Sequence, residues 1–270
     1  MATFCYGVSM GGAHCHTANF CLSRNAMPHI HPRPNLVPYI AAFLVLAMVA
    51  YGPIAQPDHY HHFADQRTLF GLANAGDVLS NIGFLLVGGF GLLRWRGADA
   101  RVAGHGAYGV FFAALALTAA GSAWYHLAPG DGRLVWDRLP IALACAALLA
   151  GELARVFKAR WLIPLCVFGA ASVGFWSLTG DLRPYLLVQV APLVLIPALH
   201  WQVHASMARR TAFVVAIALY VMAKMFELAD ATAMSALQVI SGHTLKHLLA
   251  TAAAAVLVWQ FTWPVTSDRG

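Results

Sequence analysis

Eight apolar runs, each long enough to cross a lipid bilayer as a helix, account for most of the chain. A helical crossing needs about 20 apolar residues, and the runs lie near residues 36–55, 78–95, 107–126, 138–157, 161–178, 184–203, 211–229 and 243–263. Lipid offers no hydrogen-bond partner to backbone N–H and C=O groups, and the alternating pattern of a barrel strand is absent. The sequence therefore predicts an all-α polytopic membrane protein, and the short gaps between the runs indicate one domain.

The amino-acid composition agrees with a membrane protein. Hydrophobic residues make up 60% of the chain and charged residues 10%, against about 25% charged residues in an ordinary soluble domain. The formal net charge is +6, but the basic residues lie in the gaps between apolar runs. This distribution indicates membrane topology and gives no sign of a nucleic-acid partner.

The basic residues also predict the orientation in the membrane. One set of alternate gaps and both chain ends hold Arg24, Arg33, Arg94, Arg96, Arg101, Arg155, Lys158, Arg160, Arg209, Arg210 and Arg269. The opposite gaps hold only Arg67, Arg133, Arg138 and Arg183. Because basic residues accumulate on the cytoplasmic side, eight crossings predict that both termini are cytoplasmic.

Residues 1–34 lack the continuous apolar stretch of a signal peptide, so we interpret them as a disordered tail, with a start codon assigned too early, ahead of Met27, as the alternative. Within this tail, His14, Cys15 and His16 lie close together but have no recognised metal-ligand spacing. A second histidine-rich stretch, HYHH at residues 59–62, is interpreted as a solvated loop, with metal delivery as the alternative.

Five polar side chains in or beside the apolar runs point to one site. His243 and His247, in the stretch SGHTLKH, are four residues apart and project from the same face of a helix. Ser122 and His126 have the same spacing at the end of the third run, and Asp137 opens the fourth. The predicted topology brings these three helix ends to the same side of the membrane.

Three imidazoles with a free fourth position suit a catalytic zinc ion. Bound zinc activates water and polarises a carbonyl group, which is the chemistry that cleaves amides and esters. Asp137 is expected to act as the general base, and Ser122 to donate to the oxyanion or to hold Asp137 in place.

Each of these residues also has a purely structural interpretation. A histidine within the membrane often forms a hydrogen bond between helices. Asp137 could pair with Arg138 or cap the fourth helix, and Ser122 could bond to its own helix. Spacing alone leaves both interpretations open.

A second polar cluster lies in AKMFELAD, where Lys224, Glu227 and Asp230 fall on or near one helical face. Lys224 and Glu227 are three residues apart and can neutralise each other. We interpret this cluster as a structural ion pair inside the bundle, with substrate contact as the alternative.

The motifs taken together resemble the alkaline ceramidase family, especially its bacterial membrane members, which group with the adiponectin and progestin receptors. The resemblance covers about residues 58–260 and rests on S-x-x-x-H at Ser122 to His126, Asp137 in VWDRLP, H-x-x-x-H at His243 to His247, and DVLSN at residues 77–81.

The resemblance implies a seven-helix bundle around a zinc ion held by His126, His243 and His247, with Ser122 and Asp137 beside the metal-bound water. It implies hydrolysis of the amide bond of ceramide or a related N-acyl lipid to a sphingoid base and a fatty acid. Residues 58–265 would form this hydrolase domain, and residues 35–57 an additional transmembrane helix and linker. A bacterial inner membrane is the implied location.

Animal members of the family carry a calcium site before the DVLSN-like motif. Here Asp65, Asn74 and Asp77 offer oxygen atoms, but Arg67 places a cation among them, which argues against calcium. We expect Arg67 to pair with Asp65 or Asp77 instead. Asp77 could otherwise cap the second helix, and Asn74 could form a turn.

The alternative function is a seven-transmembrane receptor or sensor with a structural zinc site. Asp137 discriminates between the two, because a structural site would keep its metal and its role without this carboxylate. The substrate under the first interpretation is a membrane lipid, and neither interpretation predicts the oligomeric state.

Overall fold

The computed structural model of the chain describes residues 35–69, 71–157 and 160–262. The helices in these ranges are α1 (Val37–Tyr51), α2 (Ala75–Leu79), α3 (Ile82–Arg96), α4 (His105–Leu127), α5 (Asp131–Phe157), α6 (Leu162–Thr179), α7 (Arg183–Gln202), α8 (Met207–Leu228), α9 (Asp230–Leu237) and α10 (Gly242–Thr262). The same ranges contain isolated β-bridges but no strand. The predicted all-α fold is confirmed.

Seven helices in the described ranges are long and apolar enough to cross a membrane, with α2 and α3 together forming the first of them. They contain 18 to 27 residues, which corresponds to about 27–40 Å at 1.5 Å per residue and matches a hydrocarbon core of about 30 Å. The chain is therefore a multi-pass membrane protein.

The N-terminal one of the eight expected crossings is shorter in the structure than the sequence predicted. Helix α1 contains 15 residues, or about 22 Å, which is shorter than the hydrocarbon core. Its last residue, Tyr51, is followed by Gly52, whose φ is +87°. Pro53 comes next and has no N–H to continue the helix. The predicted tail at 1–34, and the end of the predicted domain at 263–265, lie outside the described residues.

The packing of the helices brings four of their ends together. Helix α4 packs along α3 and α5, and α10 packs along α8 and α3. Because successive crossings alternate in direction, the C-terminal end of α4 lies beside the N-terminal ends of α2, α5 and α10. This end of the bundle is called the site end below.

Two glycines allow close helix approaches at the site end. A Cβ atom at Gly121 of α4 would overlap the carbonyl oxygen of Trp136 on α5, and one at Gly242 would overlap the carbonyl oxygen of Phe226. The first approach brings Ser122 to Asp137, and the second fixes the start of α10 against the end of α8.

The opposite end of the bundle holds a buried polar network around Glu152. Its carboxylate accepts hydrogen bonds from the Tyr108 hydroxyl at 2.7 Å, from His200 Nε2 at 2.7 Å and from Arg209 Nη1 at 3.2 Å. These residues connect α4, α5, α7 and α8. Every oxygen of the buried carboxylate is thus satisfied, so the network serves helix packing.

Candidate metal centre

His126, His243 and His247 lie together at the site end. One ring nitrogen of each lies within 4.8 Å of the others, and no other cluster of His, Cys, Asp and Glu in the described ranges meets the same geometric requirement for a metal site. The three side chains are 1%, 6% and 4% exposed. They could therefore hold a metal ion in a site shielded from bulk solvent.

The start of α10 explains the sequence SGHTLKH. The Ser241 hydroxyl oxygen accepts the Thr244 N–H at 2.9 Å, which satisfies one of the free donors of the first turn. Asp230 accepts the His243 N–H at 2.8 Å with one oxygen and the Ala64 N–H at 2.9 Å with the other. Asp230 therefore joins α9 and the start of α10 to the segment that precedes α2. It is not part of the Lys224–Glu227 ion pair.

The DVLSN motif supports the second histidine of α10. The Ser80 hydroxyl lies 2.8 Å from His247 Nδ1, and the Asp77 carboxylate accepts the Thr244 hydroxyl at 2.7 Å. The contact at Nδ1 leaves Nε2 of His247 free for a metal ion. Hydrogen bonds of this kind orient the histidine ligands of metal sites.

His126 has a different support. The Asn74 side chain, at a left-handed φ of +50°, donates to the His126 carbonyl at the end of α4, at 2.8 Å. The ring itself is buried, and its Nδ1 has no hydrogen-bond partner among the described residues. A buried ring nitrogen without a partner is costly unless an ion or a water satisfies it.

His243 lies beside a charged side chain. The Lys246 ammonium donates to His243 Nε2 at 3.0 Å and to Glu227 at 3.0 Å, and Lys224 pairs with the same carboxylate at 2.6 Å. The predicted Lys224–Glu227 pair is thus observed, with Lys246 as a third member. The Lys246 ammonium therefore already uses the lone pair of His243 Nε2 as a hydrogen-bond acceptor.

The donor set fits a divalent cation that prefers imidazole. Nitrogens of one tetrahedral zinc site lie about 3.4 Å apart, given Zn–N distances of about 2.1 Å, so the widest pair must close by about 1.4 Å. Rotation of the side chains can provide this closure. If His243 binds through Nε2, Lys246 must also turn towards Glu227, with which it already pairs.

Ser122 of α4 and Asp137 of α5 line one cavity together with His247. The Ser122 hydroxyl lies near the Asp137 carboxylate, and the two residues are 2% and 9% exposed. Asp137 forms no ion pair with Arg138 in the described part of the chain, so the pairing considered from the sequence is not observed. Its carboxylate belongs to no metal-ligand group and remains available to a water molecule or a substrate.

The segment before α2 covers the outer face of the centre. The Phe63 ring lies 4.6 Å from the His126 ring and 4.5 Å from the His243 ring, measured between centroids. Within the HYHH stretch, His61 reaches the Tyr125 hydroxyl at 2.9 Å and Asp131 at 3.1 Å. His61 therefore holds the covering segment to the ends of α4 and α5, while His59 and His62 are exposed, as expected for a solvated loop.

Hydrogen bonds to Asp181, just before α7, also hold the segment that leads from α1 to α2. The Ile54 N–H donates to Asp181 at 3.1 Å, and Arg183 donates to the same carboxylate at 2.9 Å. The hydrogen bond from Arg183 lowers the pKa of Asp181 to about 2. Asp181 is therefore ionised at any ordinary pH, and the contact persists.

The expected pairing of Arg67 is observed with Asp65. The guanidinium donates to both oxygens of the carboxylate, at 2.8 and 2.7 Å, and to the Val239 carbonyl at 2.8 Å. The hydrogen bond from Arg67 lowers the pKa of Asp65, although burial opposes it. Arg67 thus occupies the carboxylate that a calcium ion would need.

A cavity of about 510 Å³ begins beside His247 and extends into the bundle. Charged and polar side chains line its site end, and these include Ser122, Asp137, Arg138, Glu227 and Lys246. Mostly apolar side chains of α4, α5, α7, α8 and α10 line the remainder, with Thr118 and Gln189 among the polar exceptions. The cavity is therefore suited to an amphiphilic molecule.

Several residues of the site were not identified from the sequence as parts of it. Ser80, Phe63 and Lys246 contact the histidines, and Asn74 and Asp230 hold the backbone at His126 and His243. Asn74 and Asp230 are polar residues at helix starts, which the sequence shows. The residues that they contact are distant along the chain, which the sequence does not show.

Comparison with known proteins adds no relative: no protein-family model matches the chain, and no curated protein matches it either. The resemblance to alkaline ceramidases therefore rests on the sequence motifs.

Proposed function

We propose that the chain is a zinc-dependent intramembrane hydrolase that cleaves the amide bond of ceramide or a related N-acyl lipid. One observation carries the proposal: three buried histidines lie close enough together to hold a metal ion, and one of them, His247, lines a mostly apolar cavity together with Ser122 and Asp137. The proposed products are a sphingoid base and a fatty acid.

The metal ligands would be His126, His243 and His247. When bound, zinc supplies Lewis acidity that polarises the amide carbonyl and makes water a stronger nucleophile. Three protein ligands leave a coordination position free, as in catalytic zinc sites. Ser80 fixes the ring of His247 through Nδ1.

Asp137 is the proposed general acid and base. Its carboxylate takes the proton of the attacking water and returns it to the leaving amine nitrogen. Ser122 lies near Asp137, and its hydroxyl would donate to the carboxylate and fix the direction in which the carboxylate faces. Lys246 lines the same cavity, and its ammonium can stabilise negative charge that develops on the carbonyl oxygen.

The apolar part of the cavity would bind the acyl chain. From Ser122 to Phe111, both lining residues of α4, the helix rises about 16 Å at 1.5 Å per residue. Apolar walls over this length exclude water from the acyl chain, while the amide bond lies at the polar end.

The proposal is tested with Asp137→Asn in purified full-length protein. Hydrolysis of ceramide and of other N-acyl lipids should fall by about 10²–10⁴-fold, since the general base is lost. The zinc content, measured by atomic absorption, should stay as in the wild type. His243→Ala should lose both hydrolysis and zinc, and the exposed Asp99→Asn should lose neither.

The alternative is a receptor or sensor with a structural zinc site, and the Phe63 ring across two of the three imidazoles favours it, because structural sites are closed. Under this alternative, wild-type protein hydrolyses none of the lipids, and chelation lowers its thermal stability as much in Asp137→Asn as in the wild type. Rapid hydrolysis by Asp137→Asn would contradict the role given to this carboxylate.

The proposed location is the inner membrane of a bacterium, with the basic end of the bundle towards the cytoplasm. The site end then faces the periplasm. A cytoplasmic N-terminus requires that α1 also cross the bilayer.

A further inference from the structure

The site end of the cavity contains a buried cation without an acidic partner. Arg138, in the second turn of α5, lines the cavity and is 3% exposed. Its Nη2 donates to the Gln56 side chain at 2.8 Å. Its Nε and Nη1 have no hydrogen-bond partner among the described residues.

Aromatic rings hold the guanidinium in place without neutralising it. Its Cζ lies 3.9 Å from the centroid of the Trp176 ring and 5.1 Å from those of Tyr60 and Tyr185. Ring faces attract a cation but carry no net charge. The neighbouring Asp137 is close enough to interact electrostatically with Arg138, but it forms no direct ion pair with the guanidinium in the described part of the chain.

The other charged residues of the cavity do not supply the missing anion. Glu227 pairs with both Lys224 and Lys246, so two ammonium groups share one carboxylate. With Arg138 and Asp137 included, cations outnumber anions at this end of the cavity. An excess cation inside a membrane protein is costly unless an anion accompanies it.

The volume and the lining of the cavity indicate the size and the polarity of the molecule that it could bind. Its volume of about 510 Å³ lies within the range of about 300–1,000 Å³ that is usual for ligand sites, and its walls beyond the charged end are apolar. A molecule that fills both parts has a long apolar chain and a negatively charged head.

We infer that the cavity binds anionic amphiphiles, with Arg138 as the residue that holds a carboxylate or phosphate head group. The part of this inference that concerns substrates rests on the proposed function: the preferred substrates are then N-acyl lipids with an anionic head group. Neutral ceramide would leave Arg138 without its partner.

The test measures equilibrium binding of radiolabelled hexadecanoate, hexadecyl phosphate and the uncharged hexadecanol to full-length protein in non-ionic detergent. Wild-type protein should bind the two anions about ten-fold or more tightly than the alcohol, as expected for a charge-assisted hydrogen bond. Comparison of the two anions distinguishes a site for carboxylate from a site for phosphate. Competition by inorganic phosphate shows whether binding requires the alkyl chain of the probe.

Variants identify the residue responsible. Arg138→Gln should bind all three probes equally, with the affinity for hexadecanol unchanged, whereas Arg138→Lys should keep a preference for the anions. Arg133→Gln is the matched control, since Arg133 also lies on α5 and stacks on a tryptophan, Trp124, at 3.9 Å, but does not line the cavity.

The inference is overturned if wild-type protein binds hexadecanol as tightly as the anions, or if Arg138→Gln keeps the preference. Because binding is measured without turnover, either result leaves the proposed hydrolysis intact. An anion preference in a protein that hydrolyses no amide would instead overturn the proposed function and leave this inference standing.

Discussion

Ser80 illustrates how a residue outside the proposed ligand set can orient one of the ligands. Its hydroxyl lies 2.8 Å from His247 Nδ1 and 3.0 Å from the Asp77 carbonyl, to which it donates. The same carbonyl lies 3.2 Å from His247 Nδ1. The ring is therefore oriented by two groups, one near the end of α2 and one in the segment between α2 and α3, and the Ser80 hydroxyl is the nearer of them.

We expect Ser80→Ala to lower zinc affinity by about 10–100-fold, which is the usual effect of removing a supporting hydrogen bond. Competition with a fluorescent zinc chelator measures this affinity. The control is Ser235→Ala, because Ser235 is exposed on α9 and bonds only to the Thr232 carbonyl. Equal affinities for the two variants would show that His247 does not need the Ser80 hydroxyl for its orientation.

The histidine pairs could be predicted from the sequence because they depend on local spacing. A helix places residues four apart on one face, so His243 and His247 needed no tertiary information. The partners of Arg67 could also be narrowed to two carboxylates within ten residues. The contacts of Ser80 and Asp230 could not be predicted, because they join helices separated by a large part of the chain.

Among the helices, the crossing of α4 and α5 determines the geometry of the proposed catalytic pair. Gly121 lies where the two backbones touch, immediately before Ser122, and Trp136 lies immediately before Asp137. Any side chain at position 121 must push the helices apart and separate the serine from the carboxylate.

Gly121→Ala is therefore expected to reduce lipid hydrolysis strongly and to destabilise the protein by about 1–3 kcal/mol or more, the usual cost of overpacking. Thermal unfolding in detergent and the hydrolysis assay measure the two effects. Gly106→Ala is the control on the same helix, since its Cβ would meet open space. A Gly121→Ala protein as active as the control would show that the crossing tolerates separation.

The seven long helices were predictable because each is a continuous apolar run, whereas two features of the fold were not. Helix α1 ends earlier than its apolar run suggests, because Gly52 and Pro53 interrupt the backbone hydrogen bonds. Helices α2 and α9 lie outside or at the edge of such runs, so hydropathy does not indicate them. Both short helices nevertheless help to position the histidines.

For the chain as one unit in the membrane, the distribution of charge predicts which end faces outwards. The site end carries few basic residues, while the loops at the other end follow or precede Arg94, Arg96, Arg155 and Arg209. The positive-inside rule therefore predicts that the candidate metal centre faces the outer aqueous phase.

Cysteine labelling tests this orientation in a background without the natural cysteines. Gln66→Cys, at an exposed position of the site end, should react in intact cells from which any outer membrane has been removed with a maleimide that does not cross membranes. Ala98→Cys, exposed between α3 and α4, should react only after lysis. The opposite pattern of labelling would reverse the orientation.

The Arg67–Asp65 pair has a consequence for how the protein depends on its surroundings. A guanidinium that belongs to the polypeptide is present once in every molecule, whatever the ionic content of the medium. The rim of the site therefore keeps its shape when growth conditions leave free divalent ions scarce. Under the proposed function, sensitivity to such scarcity would be confined to the histidine centre.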